Sequence, residues 1–254
     1  MRRVVLFCLL TICAPFAAFA EEVVLGLSMS EVQITTNFDG SEILVFGAVK
    51  REAPVPEEPL GVIVAVAGPS LPVVVRRKER RFGIWVNTQS VEVDAAPSFY
   101  AVATTGPLSE VLTNTEDLRH KVSVPRAIRS VGAPSTVEDA QAFTDAVIRI
   151  REKSGAYSLQ EGAVELTDQT LFNTSIALPA NLTEGDYPTR ILLTRGGRVV
   201  TDFETTIDVQ KVGLERWLFD MSRQQPLMYG LMSLAIAISA GWGASAAFRL
   251  LRQG

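Results

Sequence analysis

The chain has two cysteines, Cys8 and Cys13, in 254 residues, and a single histidine, His120. Both cysteines fall in the first twenty residues, inside a segment that reads as a removable export signal. The exported chain is therefore expected to carry none, which excludes disulfides, thiolate nucleophiles and cysteine-based metal sites in any redox compartment. One imidazole, with no second histidine, thiol or H-x-x-x-H spacing, does not build a metal or catalytic centre. Asp117 lies nearby in sequence, and the pair reads as an exposed helix end. No G-x-S-x-G occurs, and Gly68-Pro69-Ser70 reads as a turn between strands. Among adjacent carboxylates, Glu57-Glu58 belongs to a Pro-rich loop over 53–59 and Glu116-Asp117 to a helix start. No catalytic, cofactor-binding or metal-binding residue is assigned, and no enzyme is expected.

Positive charge is also scarce on the exported part. The whole chain has a formal net charge of −4 from 24 basic and 28 acidic residues. Arg2 and Arg3 lie in the export signal, and Arg249 and Arg252 lie beyond a C-terminal apolar run. Setting those four aside leaves 20 basic against 28 acidic residues, a net of −8. A nucleic-acid binder shows the opposite balance, so that class is excluded.

Two long apolar segments, one at each end, are present. Residues 1–20 carry Arg2-Arg3 as a positive n-region, Val4–Ile12 as an apolar core and Ala18-Phe19-Ala20 as a small-x-small cleavage site. The mature chain is expected to begin at Glu21. Gln224–Phe248 holds no charged residue. Pro226–Phe248 would extend about 34 Å as a helix, enough to cross a bilayer. Arg249 and Arg252 follow at once, which predicts the exported region outside, in the periplasm, and a short cytoplasmic tail inside. Trp217, Phe219 and Tyr229 sit where an aromatic belt would anchor the outer interface. Ser233, Ala237, Gly241 and Ser245 form a stripe of small residues. Ala235, Ser239, Gly243 and Ala247 form a second stripe beside it, a face suited to packing on another membrane helix.

Between these segments the pattern is mainly β. Val32, Ile34, Thr36 and Phe38 alternate with polar residues, Asp39-Gly40 turns, and Glu42–Lys50 is apolar on both faces. Gly61–Ala67, Pro72–Val75, Phe82–Val86 and Ser98–Thr105 follow as short strands, a density that suggests a sandwich. Residues 109–155 differ: Ser109–Arg119 reads as a weak helix. Ser135–Glu138 reads as a capping box before Val137, Ala140, Phe143, Val147 and Ile150 at helical spacing, with Gly155 as the stop. Strands return with Phe172–Leu178, Ile191–Leu193 and Val199–Val209, the last two joined by Gly196-Gly197. Glu184-Gly185-Asp186-Tyr187 reads as a tyrosine corner or as a plain turn beside a core tyrosine. Arg76-Arg77-Lys78-Glu79-Arg80-Arg81 is placed at a hairpin tip or edge, either as an anion or lipid-headgroup patch or as a solvated edge whose charges discourage pairing.

Several segments together resemble the Alph_Pro_TM family of alphaproteobacterial transmembrane proteins. They are Gly26-Leu27-Ser28 with Val32-Gln33-Ile34, Phe38-Asp39-Gly40, Val45-Phe46-Gly47-Ala48 and Phe82–Asn87. Leu178-Pro179-Ala180-Asn181-Leu182, Lys211–Trp217 and Gln225–Gly230 complete them. The resemblance implies an inner-membrane protein facing the periplasm and brings no catalytic assignment. It also implies an association with sulfite-exporter-type permeases, beside which members are often encoded.

The sequence thus predicts a signal peptide over 1–20 and two immunoglobulin-like β-sandwich domains over 21–108 and 156–212. A helical segment over 109–155 joins the two sandwiches. A juxtamembrane stretch over 213–224, a transmembrane helix over 225–248 and a tail over 249–254 complete the chain. The expected function is that of an accessory or interaction protein docking a polytopic membrane partner through Ser233, Ala237, Gly241, Gly243 and Ser245. An envelope module that binds an anionic ligand or lipid through Arg76–Arg81 is the alternative, and an envelope enzyme is the least favoured reading.

Overall fold

The computed structural model describes residues 21–253, apart from 36–37, 52–53, 55, 57, 131–136, 138 and 213. The export signal therefore lies outside the described residues, as do Thr36, Glu57 and the capping-box residues Ser135, Thr136 and Glu138. Strands take up 48% of the structure and helices 27%, so the β-dominated expectation holds.

The first half of the chain gives β1 (Glu22–Leu27), β2 (Glu31–Ile34), β3 (Ser41–Lys50), β4 (Leu60–Ala67), β5 (Ser70–Arg81), β6 (Ile84–Pro97) and β7 (Tyr100–Thr104). Helices α1 (Leu108–Val111), α2 (Asn114–His120), α3 (Val124–Ala127) and α4 (Gln141–Lys153) come next. Then follow β8 (Tyr157–Gln160), β9 (Glu165–Thr167), β10 (Leu171–Leu178), β11 (Gly185–Arg195) and β12 (Arg198–Lys211). Helices α5 (Leu214–Gln224) and α6 (Pro226–Gln253) end the described chain.

One sheet has the order β1-β3-β10-β9, a second the order β2-β12-β11-β4-β7-β8, and β5-β6 form a two-stranded ribbon. Strands of the two expected sandwich regions, 21–108 and 156–212, pair within each region and also with each other, so both larger sheets mix the two. β3 pairs with β10 along its length, Val45 opposite Thr174, and β4 pairs with β11, Val64 opposite Ile191. The physical reason lies in the inner faces. Ile43, Val45 and Val49 of β3 and Phe172, Ile176 and Leu178 of β10 line one apolar surface. That surface is covered mainly by the second sheet, through Val62, Val64 and Val66 of β4, Ile191 and Leu193 of β11, and Ile207 and Val209 of β12. Each region thus needs strands of the other to bury its apolar face.

The helical region is the crossover between β7 and β8, which are parallel neighbours. Parallel strands require such a connection because the chain must return to the starting end of the sheet. It covers the other face of the second sheet, where Val122, Val124, Ile128 and Val147 pack on Ile63, Ala65, Val102 and Leu192. The single helix expected over 109–119 is broken into α1 and α2 at Leu112, whose side chain is buried in this core. Helix α4 starts at Gln141, with the Asp139 carboxylate accepting from the Ala142 amide at 3.2 Å, and stops before Gly155 at φ +73°. Arg190 of β11 donates to the His120 carbonyl at 2.8 Å, closing the C-terminus of α2 with a cation.

The Tyr187 hydroxyl donates to the Thr183 carbonyl at 2.8 Å, the tyrosine-corner geometry, and the ring lies in the inter-sheet core beside Phe99. Its pKa is raised, chiefly by burial, so it remains a donor.

Glu21 closes the opposite corner. Its carboxylate accepts from Arg51 at 2.7 Å and from Arg195 at 2.7 and 3.2 Å. Arg51 also donates to Thr170 Oγ1 at 3.2 Å and to the Gln169 carbonyl, and Arg195 donates to the Glu58 carbonyl. The Thr201 hydroxyl donates to the Glu21 carbonyl. Burial pushes the Glu21 carboxyl up, but the hydrogen bonds and charges of Arg195 and Arg51 outweigh it, leaving its pKa below the ordinary glutamate range. The unfolded chain therefore takes up this proton first as pH falls. The clamp stabilises fully above the ordinary glutamate range and loses its contribution as pH drops through the lowered folded value.

Two outcomes are expected. Glu21→Gln, which strands two nearly buried guanidinium groups, should cost about 3 kcal/mol in urea unfolding at neutral pH. The difference from the parent should shrink as pH is lowered through the range just described. Tyr187→Phe should cost about 1 kcal/mol and lower Tm by about 2–4 °C. Equal stability of the Phe variant and the parent would remove the corner's role.

Candidate functional site

Strands β5 and β6 make the ribbon that carries the basic run. Sequence patterning expects short strands at 72–75 and 82–86 with the charges at the tip or the edge of a hairpin. Instead the charged residues continue the strand, and the turn falls at Phe82-Gly83. The base of the ribbon is held in the second core by Val73, Val75 and Val93. A bulge between Arg77 and Lys78 shifts the register so that Gln89 faces Arg77 and Asn87 faces Lys78. Alternation then puts Arg76, Lys78 and Arg80 on one exposed face, opposite Ser90, Asn87 and Trp85. Two-residue steps along an antiparallel strand space these cations about 7 Å apart. Arg77 stands on the other face.

Arg77 is engaged. Its guanidinium stacks over the Phe143 ring of α4 at 4.8 Å, donates to Gln89 Oε1 at 3.1 Å and lies 3.9 Å from the Asp139 carboxylate. Between β5 and α4 runs an open groove of about 370 Å³, lined by Arg76, Arg77, Lys78 and Arg149 with Phe143 and Ile150 on its apolar side.

The tip is apolar. Phe82 is 105% exposed, Ile84 64% and Trp85 69%. Phe82 and Gly83 have φ of +50° and +85°, the left-handed pair of a type I′ turn. Asn-Gly is the usual sequence there. Gly83 fits without strain, whereas Phe82 bears a cost of about 1–2 kcal/mol. The exposed aromatic tip is the element sequence reading missed; the signal was Phe-Gly between a charged strand and one uncharged over 84–91, which reads as strand when periodicity alone is followed.

The other candidates fall elsewhere. His120 meets Glu116 rather than Asp117, with Nε2 at 3.5 Å from the carboxylate, and Arg119 shares that carboxylate at 2.8 Å. Asp117 is used locally, accepting from the Val122 and Ser123 amides and the Ser123 hydroxyl at 2.7–3.1 Å. Gly68-Pro69 turns between β4 and β5, with the Gly68 amide donating to the Phe99 carbonyl at 2.7 Å. Among the described residues no three His, Cys, Asp or Glu side chains are placed to hold a metal. Tyr100 and Tyr157 meet edge to face in the helix-side core and donate to the Val122 and Pro97 carbonyls. Burial pushes Tyr157 up to about 12, so both serve as structural donors.

Helix α6 contains a run, Pro226–Ser245, long and apolar enough to cross a membrane, and none of it is buried within the chain. A Cβ added at Gly230, Gly241 or Gly243 would meet nothing within 4 Å, so no other described element packs there. The small residues Ser233, Ala237 and Gly241 lie on this uncovered helix.

A family model described as "Putative transmembrane protein (Alph_Pro_TM)" matches residues 22–250. The chain belongs to that family, and no curated protein matches it.

The division of the ribbon into two faces has a direct test by thermal melting. Arg76→Gln, Lys78→Gln and Arg80→Gln should each change stability by less than about 0.5 kcal/mol, as exposed substitutions do. Arg77→Ala, which uncovers Phe143 and Gln89, should cost about 1–2 kcal/mol.

Proposed function

We propose that this protein is a single-span, non-enzymatic accessory subunit of the cell envelope. Its folded region faces the periplasm and its tail the cytoplasm, and α6 docks a polytopic membrane protein through Ser233, Ala237, Gly241 and Ser245, with Gly243 beside them. The observation that carries this reading is α6 itself: an apolar helix with none of its membrane-length run buried, in which a Cβ at Gly241 or Gly243 would meet no other described element within 4 Å. Small residues permit close approach of a second backbone, which is how membrane helices gain packing when lipid and side chains are equally apolar. Orientation is supported by Arg249 and Arg252 immediately after the apolar run. The partner suggested by the family resemblance is a sulfite-exporter-type permease. A second reading, binding of an anionic ligand through Arg76–Arg81, is supported by the three-cation face and the groove beside it.

Affinity purification of the full chain in mild detergent should recover a polytopic membrane protein. Gly241→Leu with Gly243→Leu should reduce its recovery at least tenfold while leaving the ectodomain melt unchanged. Undiminished recovery with the double variant would overturn docking through this face.

A further inference from the structure

We infer that the β5–β6 ribbon is a lipid-binding arm: Phe82, Ile84 and Trp85 enter the interface of an anionic bilayer, and Arg76, Lys78, Arg80 and Arg81 hold its headgroups. This deepens the anionic-ligand reading of the basic run and stands or falls independently of what α6 packs against. Three observations converge on it. First, the three apolar tip side chains are exposed beyond the last core contact of the ribbon, so they add nothing to the fold. Second, Phe82 occupies a left-handed turn position at φ +50° that a bulky residue enters only at a conformational cost. Third, between Arg76 and Ser90 there are five basic residues and one acidic one, Glu79, in a chain of net charge −4.

The chemistry separates lipid from a soluble anion. A free phosphate would use the cations and leave the apolar tip in water. A bilayer uses both. Tryptophan and phenylalanine settle at the level of the headgroups, and arginine and lysine stems lie along the apolar boundary with their charges among phosphates. Each such cation near an anionic surface is worth about a fivefold gain in binding, an attraction that salt weakens. The arm is rooted at the end of the sheet from which β12 leaves for α5 and α6, and it runs from there along α4 to the start of that helix, where Arg77 meets Phe143, so the tip is offered a bilayer both in the disc and as separate vesicles.

The test uses the full chain in nanodiscs with Trp217→Phe and Trp242→Phe, which leaves Trp85 as the sole tryptophan of three. With phosphatidylglycerol in the disc, or in vesicles added to a phosphatidylcholine disc, Trp85 emission should shift to the blue and be quenched by brominated acyl chains. With phosphatidylcholine throughout it should remain water-like. Neutralising Arg76, Lys78 and Arg80 to Gln should weaken the vesicle interaction about a hundredfold. Phe82→Ser with Ile84→Ser should abolish the quenching while the melt is unchanged, since neither side chain packs in the fold. Water-like Trp85 emission in both anionic settings would overturn the proposal. So would binding of inorganic triphosphate or of phosphatidylglycerol vesicles that Phe82→Ser/Ile84→Ser leaves equally strong, since either assigns the cations to an anion that needs no bilayer insertion.

Discussion

Strand β4 is buried on both faces, and the placing of most other elements follows from that. Leu60, Val62, Val64 and Val66 point into the core shared with the first sheet, while Ile63 and Ala65 point into the core shared with the helices. A strand so apolar must have two neighbours and two covers. β11 and β7 are the neighbours. The first cover, β1-β3-β10-β9, draws strands from both ends of the folded region. The second is the β7–β8 crossover, joined by the base of the β5–β6 ribbon. The chain therefore forms one interleaved body whose two halves depend on each other.

Much of this was legible residue by residue. Phe172, Thr174, Ile176 and Leu178 alternate in sequence, and all four are buried in one face of β10. Gly61–Ala67 reads as a continuous apolar run and is a central strand. Phe143 and Val147 at helical spacing face the core, although Ile150, on the same spacing, is exposed. What sequence could not show was pairing. Alternation sets which side of a strand is buried, but nothing local in β3 names β10 as its neighbour, with Ala48 paired to Leu171 and Ser41 to Leu178, since that choice is made by the shape of the shared core. Asp39-Gly40 looked like the turn of a hairpin, yet it carries the chain from the second sheet to the first. The basic run was visible as chemistry, while the partners it meets across the ribbon depend on a one-residue bulge in β6 that composition does not signal.

The Glu21 clamp illustrates the same limit from the electrostatic side. Three charged residues scattered at positions 21, 51 and 195 have no spacing that links them. Folding brings them together because β1 and β3 pair and because β11 ends beside the start of β1. Once there, each guanidinium also satisfies backbone or hydroxyl acceptors, and the hydrogen bonds and charges together outweigh the penalty that burial imposes on the carboxylate. The residue expected to head the mature chain is thus the one that ties both sheets at their open corner.

The arm shows the reverse economy. Its base is fixed by Val73, Val75 and Val93, and midway Arg77 is held on Phe143, so the ribbon has little freedom to swing at those points. Beyond Lys78 no ribbon residue lines the groove beside α4, and Phe82, Ile84 and Trp85 stand exposed. A two-stranded ribbon is marginal in water without a packed face. The fold could have ended it at Arg77 without losing a core contact. It instead continues to an aromatic tip through a turn that phenylalanine disfavours, with cations spaced along one face. Stability does not account for that extension, and the charges and the tip lie at the same end of it. A surface offering both negative charge and an apolar interior accounts for both features together, whereas solvation of a sheet edge accounts for the charges alone.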